Sequence, residues 1–440
     1  MNRTVKAGRR TGSVRIPSSK SFAHRMLICA AMAEQETTLF CDGLSDDILA
    51  TVECLNALGT TIQIDRVSDR ENIIRVIPIQ RKHQKDKKRR DSSAETVILP
   101  VRESGSTLRF LLPLAGVLGV RAKFVLEGRL PDRPLSPYDD LLRSHGMEIT
   151  ASGNSLMCSG MLENGTYELP GNISSQFISG LLMSLPYLKG KSTLRILGNL
   201  ESEGYVRITE GVLEQAGITF VKDDQDYVIP GEQTGVFSSA VTVEGDWSNA
   251  AFFLCMGCIN EQGITVKGLT LPSLQGDSEI LDILDLFGAV VSVENQGITI
   301  RKGSCLPLMI DAAKIPDLIP VLSVLACAAV GDTKIINAGR LRLKESDRIR
   351  STAELITSLG GSVDELPDGL VIHGKGNLRG GTVDPHHDHR LAMSAAAAAC
   401  MCTDEVIVTD AECVEKSYPD FWNDYSSLTC SFNLKNRSNV

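Results

Sequence analysis

The sequence predicts an α/β protein of two domains, assembled from six related units taken three and three. Three observations carry this. A chain of 440 residues is too long for one ordinary core. A glycine that closes a helix and leads into an alternating strand recurs along it, and so does a helix with a polar start and a small, apolar body.

The glycines stand in LNALGTTIQI (Gly59), LLRSHGMEIT (Gly146), VLEQAGITFV (Gly217), ILDLFGAVVSV (Gly288) and LITSLGGSV (Gly360). Their spacing is about seventy residues, the size of one supersecondary repeat, and each suits a C′ cap. One interval is longer because it holds the charged tract 81-RKHQKDKKRRDSS-93, which has no apolar periodicity and reads as an insertion in a surface hairpin. The helices are SSKSFAHRMLICAAMA, SGSTLRFLLPLAGVL, SSQFISGLLMSLPYL, DWSNAAFFLCMGCI, IPDLIPVLSVLACAAV and DHRLAMSAAAAACMC, marked by Ser19, Ser106, Ser175, Ser248, Asp317 and His389. Apolar on nearly every side, they belong inside their domains. The sixth unit has no capping glycine that can be placed. The polar, turn-rich stretch 227–247 puts a crossover near Gly235, and the N-terminal strand, residues 1 to about 17, fits either domain.

Composition narrows the class. Hydrophobic residues make up 42% and charged residues 22%, and no apolar run is long enough for a membrane span, which predicts a soluble protein. The basic start MNRTVKAGRRTGSVRIP lacks the apolar region of a secretory signal, so a cytoplasmic location is expected. Twelve scattered cysteines lie mostly in apolar segments, as buried thiols do. The CxxC of Cys255 and Cys258 has no second pair at zinc spacing, and 384-DPHHDHR-390 lacks an HxxE or HExxH pattern; no metal is expected at either. A net charge of −9 argues against general nucleic-acid binding. Neither GxGxxG between strand and helix nor GxxxxGK[ST] occurs, and 374-GKGNLRGG-381 reads as a hairpin.

Helix N-termini bind anions, because their N–H groups are unpaired and the dipole is positive there. Here they carry matching side chains: Lys20 and Arg25 on the first, Gly105, Ser106 and Arg109 on the second, Ser174, Ser175 and Gln176 on the third, Arg390 on the sixth. Converging, such ends would hold phosphate or carboxylate. Plainer readings exist for single residues. Asp317 after Pro316 suits a helix cap, Arg129 and Arg133 in 127-EGRLPDRPLSPYDD-140 suit a solvated loop, and 340-RLRLKESDRIR-350, read as a helix start, suits a solvated charged face.

Taken together, SSKSFAHR, SGSTLR, DRP, SSQF, IPD, KESDR, DHR and EKSYPDFW resemble the motifs of the EPSP synthase family of enolpyruvyl transferases, from about residue 10 to about 425. The resemblance implies an inside-out α/β barrel in each domain, three βαβαββ-like repeats per domain, and helix N-termini facing an interdomain cleft. It implies that residues 1–17 and 237–440 form one domain and 18–236 the other, the latter carrying the basic insertion at about 82–93. The implied reaction moves the enolpyruvyl group of phosphoenolpyruvate to the 5-hydroxyl of shikimate 3-phosphate. No cofactor, nucleic acid or membrane partner is implied, and a monomer is expected.

Carried over by motif, Asp317 is implied as the base, Glu345 as the acid that protonates and later deprotonates the methylene carbon, and Lys20 as a catalytic residue shared by both substrates. Shikimate 3-phosphate is assigned Lys20, Ser21, Arg25, Ser174, Ser175, Gln176, Ser202, Asp317, Arg340 and Lys344, with Tyr205 as a wall. Phosphoenolpyruvate is assigned Lys20, Gly105, Arg133, Gln176, Arg348, Arg390 and Lys416. Arg340 stands where many members have Asn, Glu103 and Ser104 replace Asn-Ala, and Phe110 replaces Pro. The sister transferase acting on UDP-N-acetylglucosamine commonly carries a cysteine in the loop matching 127–137, where this chain has none. A phosphate or nucleic-acid module using the basic tract is the reading from another class. His24 receives no role from the repeat or the motif and is read as structural.

Overall fold

The computed structural model describes residues 1–80 and 95–431; the basic tract at 82–93 lies outside the described residues. The chain forms two compact units, Ser19–Val243 and Met1–Ser18 joined with Glu244–Val440, each with its own hydrophobic core. In the first are helices α1 (Lys20–Ala31), α2 (Asp46–Ala57), α3 (Gly105–Leu118), α4 (Tyr138–Ser144), α5 (Ser175–Leu182) and α6 (Glu203–Gln215). In the second are α7 (Trp247–Gly257), α8 (Ile280–Leu286), α9 (Ile319–Ala326), α10 (Arg348–Ser358), α11 (His389–Ala398) and α12 (Phe421–Ser427). The odd-numbered helices are the six expected to have polar starts; α9 alone of them begins on apolar residues, Leu318 and Ile319.

The repeat is plainest around α3. Strand Val97–Arg102 leads into α3 and returns as Ala122–Leu126 parallel to it. After α4 the hairpin Met147–Ser152 and Ser155–Gly160 adds its second strand antiparallel to Ala122–Leu126. The same order recurs at Thr166–Ile229 around α5 and at Met309–Lys375 around α9. Parallel strands need a crossover, which the apolar helix supplies.

Three repeats borrow a strand. Around α1 the first strand is Ala240–Thr242, parallel to Thr37–Asp42, so the chain closes its first unit by returning to the start. The second crossing, expected at 237, therefore comes after Val243. Around α7 the first strand is Arg9–Arg15, parallel to Ile264–Lys267. Around α11, among the described residues, no such hairpin follows, and Arg3–Val5 pairs antiparallel with Val406–Val408 where the hairpin's second strand lies in other repeats. No helix-to-strand glycine of the sixth repeat falls among those residues. The N-terminal strands thus complete two repeats of one unit.

Gly59, Gly146, Gly217, Gly288 and Gly360 all have positive φ just beyond α2, α4, α6, α8 and α10, as the periodicity requires. The segment 374–381 differs from the expected hairpin. Gly369–Lys375 and Gly381–Val383 belong to different sheets, so the glycines carry the chain from one repeat to the next.

Residues Phe22–Ala31 of α1 and every residue of α7, α9 and α11 are buried. In the second unit α7, α9 and α11 pack on one another; in the first α3 packs on α5, and α1 on α2 and α6. Small residues permit the close approach. A Cβ on Gly180 of α5 would lie 2.5 Å from the Arg109 carbonyl oxygen of α3. The cysteines are unpaired thiols, and burial pushes several up, Cys29 to about 12. Among the described residues no helix is long and apolar enough to cross a membrane.

Candidate active site

In the unit Ser19–Val243 the starts of α1, α3 and α5 are capped by the side chains of Ser19, Ser104 and Ser174, which accept from the N–H groups of Phe22, Thr107 and Gln176. Lys20 opens α1 and its Nζ lies 3.0 Å from Oδ2 of Asp47, in the first turn of α2. Arg25, one turn on, is 2% exposed. Its Nε donates to Thr209 Oγ1 (2.6 Å), its Nη1 to the Ser21 carbonyl (2.8 Å), and its Nη2 to Ser179 Oγ (3.1 Å) and the Tyr205 carbonyl (3.0 Å), with Phe110 beneath it. Burial lowers its pKa; every one of these acceptors is neutral, and a guanidinium keeps its proton at neutral pH.

Arg109 joins α3 to α5. It donates to the Gly105 carbonyl, to Gln176 Oε1 (3.2 Å) and to the Pro134 carbonyl, while Gln176 Nε2 donates to Ser106 Oγ (3.0 Å). A Cβ on Gly105 would sit 2.5 Å from Arg109 Nη1 and 2.8 Å from Arg133 Nη1, so any larger residue there would have to displace both guanidinium groups. Gly105, Arg133 and Gln176 are thus brought together at the α3 and α5 starts. Ser175 is the first residue of α5, and Ser202, with φ of 55°, precedes α6.

The unit containing α7–α12 is built on opposite lines. Asp317 does not cap α9, whose N-cap position is Leu318. Its Oδ1 receives Arg348 Nη1 (2.8 Å) and Lys344 Nζ (3.5 Å), and its Oδ2 receives Arg390 Nη2 (2.8 Å). Arg348, 1% exposed, also donates from Nη2 to Glu345 Oε2 (2.8 Å) and from Nε to Asp388 Oδ2 (2.8 Å). Asp388, fully buried, caps α11 by accepting from the Arg390 N–H and takes a hydrogen bond from Ser346. Burial alone would raise the Asp317 pKa, but Arg390, Lys344 and Arg348 override it and hold it well below the ordinary carboxylate value. Burial likewise lowers Lys344, against the pull of Asp317.

The segment 340–350, expected as a helix start, is a 3-10 turn at Gly339–Leu343 followed by a connection holding Lys344 and Glu345. Asp347 then caps α10, which begins at Arg348. That break lets Glu345 and Arg348 meet. Arg340 lies in the 3-10 turn, where its charge acts on Lys344. Lys416 ends another 3-10 turn, Ala411–Lys416. Among the described residues no group of three or more His, Cys, Asp or Glu is arranged to hold a metal ion.

Three acids were missed in the sequence. Asp47 reads as a carboxylate favouring a helix dipole, and Asp388 as part of a histidine-rich turn. Asp277, 3% exposed, accepts from the Ser248 hydroxyl and lies within the fields of Asp317 and Arg390. No periodic signal marks it; only a fold that sets the α7 start beside Asp317 would reveal it.

The comparisons agree with one another. The family model for EPSP synthase (3-phosphoshikimate 1-carboxyvinyltransferase) matches residues 5–425. The 3-phosphoshikimate 1-carboxyvinyltransferase of Clostridium acetobutylicum is 41% identical over 421 residues, 95% of each chain. That of Clostridium perfringens is 39% identical over 424 residues, covering 95% of this chain and 96% of its own. The solved EPSP synthase of Acinetobacter baumannii shares the fold with a TM-score of 0.77 at 23% identity, over 98% of this chain and 100% of its own. With six repeated α/β units and two cation-rich clusters at its helix starts, this chain belongs to the EPSP synthase family.

Proposed function

We propose that this chain transfers the enolpyruvyl group of phosphoenolpyruvate to the 5-hydroxyl of shikimate 3-phosphate, releasing phosphate, in the shikimate pathway. The observation that carries the assignment of roles is the cluster of Asp317 and Glu345 on one buried guanidinium, Arg348, with Lys344 and Arg390 beside it. The chemistry needs a base for the hydroxyl, an acid for the enol carbon, and cations for two phosphates and two carboxylates.

Asp317 takes the 5-hydroxyl proton as the oxygen attacks C2, and Glu345 delivers a proton to C3. The result is a tetrahedral carbon bearing phosphate, carboxylate, methyl and the new ether. Phosphate then leaves with the C–O bonding pair, and Glu345 recovers a proton from the methyl group, restoring the C2–C3 double bond and giving the enol ether. Lys20 neutralises charge on the intermediate. Phosphoenolpyruvate is held by Lys20, Gly105, Arg133, Gln176, Arg348, Arg390 and Lys416. Shikimate 3-phosphate is held by Lys20, Ser21, Arg25, Ser174, Ser175, Gln176, Ser202, Asp317, Arg340 and Lys344, against Tyr205.

A carboxylate pinned by two guanidinium groups and an ammonium is a poor base. An anionic substrate that engages Arg348 and Arg390 competes for those cations, and the proton affinity of Asp317 rises as they turn away. Basicity is therefore gained on binding. The proposal takes the enzyme to be a cytoplasmic monomer, which light scattering and cell fractionation decide.

The test is phosphate release from phosphoenolpyruvate on adding shikimate 3-phosphate, run beside Asp317→Ala, Glu345→Ala and Lys20→Ala. Release that depends on both substrates and drops in all three variants is expected. Release indifferent to shikimate 3-phosphate overturns the proposal.

A further inference from the structure

His24, Thr51, Thr107 and Ser104 form a buried chain of hydrogen bonds across three helix starts of the first unit. His24 Nδ1 lies 2.7 Å from Thr51 Oγ1, Thr51 Oγ1 lies 2.7 Å from Thr107 Oγ1, and Thr107 Oγ1 lies 2.7 Å from Ser104 Oγ. The four residues are no more than 1% exposed. Together they reach three parts of the site. His24 is one turn after Lys20 on α1, Thr51 is one turn after Asp47 on α2, and Ser104 caps α3 directly before Gly105.

The proton order follows from the geometry. The ring is neutral, because burial lowers His24 to about 3. Its Nε2 is buried without a hydrogen-bond partner, so the ring proton is best placed on Nδ1, which donates to Thr51. Each hydroxyl has one proton to give. Thr51 then donates to Thr107, and Thr107 to Ser104, so all three short contacts are satisfied in one direction. The alternative acceptor for either threonine, the Asp47 carbonyl, is 3.4 and 3.5 Å away, beyond a good O–H···O distance.

We propose that this chain is a positioning device that fixes the rotation of α1, α2 and α3 against one another, and so sets Lys20, its partner Asp47 and the Gly105 turn in catalytic register. Apolar burial is non-directional, whereas the two 2.7 Å bonds that cross from α1 to α2 and from α2 to α3 hold a preferred direction, and the third ties Thr107 to the cap of its own helix α3. A displacement of about 1 Å at a reacting group can cost on the order of a hundredfold in rate. His24 is the polar end of the device, with Phe110 edge-on to its ring. The inference rests on the reading of Lys20 as catalytic.

The test compares Thr51→Val with Thr51→Ser and His24→Leu with His24→Asn, measuring kcat, both KM values and the melting temperature, with Lys20→Met alongside. Thr51→Val and His24→Leu are expected to lose roughly ten- to a hundredfold in kcat, with KM values changing much less. Thr51→Ser and His24→Asn, which keep a hydroxyl and a donor at the δ position, should recover most of it. A purely structural chain would lower the melting temperature and leave kcat of the folded protein within about twofold, which overturns the inference. If Thr51→Val fails to fold, the His24 pair decides by the same criterion. Parental turnover in Lys20→Met would remove the reading of Lys20, and with it this inference. An inactive Lys20→Met beside a fully active Thr51→Val overturns this inference alone.

Discussion

Two buried arginines near the helix starts of each unit are held by opposite means. In Ser19–Val243, Arg25 and Arg109 donate to carbonyls, hydroxyls and an amide oxygen, all of them neutral. In the other unit Arg348 and Arg390 are bound to Asp317, Glu345 and Asp388. Neutral acceptors fix a guanidinium and leave its charge to act outward, whereas carboxylates cancel it. On the proposed function, the first arrangement is a standing site for anions, while the second must exchange partners before it can bind one, an exchange that would free Asp317 as a base.

Changes on either side of this comparison should behave differently. Asp317→Ala is expected to lower kcat by roughly a thousandfold or more, while phosphoenolpyruvate binding holds or tightens because Arg348 and Arg390 lose their competing carboxylate. Single-turnover rates and calorimetric affinity measure the two halves, and weakened binding would break the competition argument. Next in size, Arg348→Met leaves Asp388 and Glu345 without their cation. The loss of a partner from a buried pair costs about 3–5 kcal/mol, so its denaturation midpoint should fall well below that of the parent. Arg25→Met removes only hydrogen bonds to neutral groups and should cost about half as much or less. Equal losses in both would dissolve the distinction between the units.

How much of this was legible in the sequence differs by residue. The repeat was, because Gly59, Gly146, Gly217, Gly288 and Gly360 each need a left-handed backbone at the same point of the unit. The buried helices were, because Ala and Ser leave no polar face. The borrowed strands Arg3–Val5 and Ala240–Thr242 were not, since a three-residue strand has no period and its partner is set by tertiary closure. At the site, the resemblance to the family's motifs implied Lys20, Asp317 and Arg348, while Asp47, Asp388 and Asp277 stayed hidden. A carboxylate matters here for the cation it meets, and that meeting exists only in the fold. His24 is the clearest case: its sequence context offers nothing, and its role rests on Thr51 and Thr107, which are distant in the chain.

A smaller effect is expected at Gly105. Gly105→Ala places a methyl group where Arg109 and Arg133 now lie and must push both guanidinium groups outward. The expected result is roughly a tenfold or greater rise in KM for phosphoenolpyruvate with a smaller change in kcat. Because the clash falls on the far ends of two flexible side chains and not on backbone, stability should change little. A large fall in melting temperature would mean that α3 cannot yield there.

The least effect on turnover is expected at Asp277, and it shows in stability. Burial pushes its carboxyl up to about 7, the Asp317 and Asp246 charges add to the rise, and Arg390 with the Ser248 hydroxyl opposes it. The folded protein therefore holds a proton that the unfolded chain releases at lower pH, so this contribution to stability is complete below the ordinary carboxylate pKa and is lost as pH rises towards 7. Asp277→Asn carries no such charge. Relative to the parent it should melt a few degrees higher above pH 7, since each kcal/mol moves the midpoint by about 2–4 °C for a domain of this size, and almost equally near pH 4. Melting curves across that range measure the difference between the two proteins. A constant offset at every pH would mean that Asp277 is ionised beside Arg390, and that two acids, not Asp317 alone, hold that arginine.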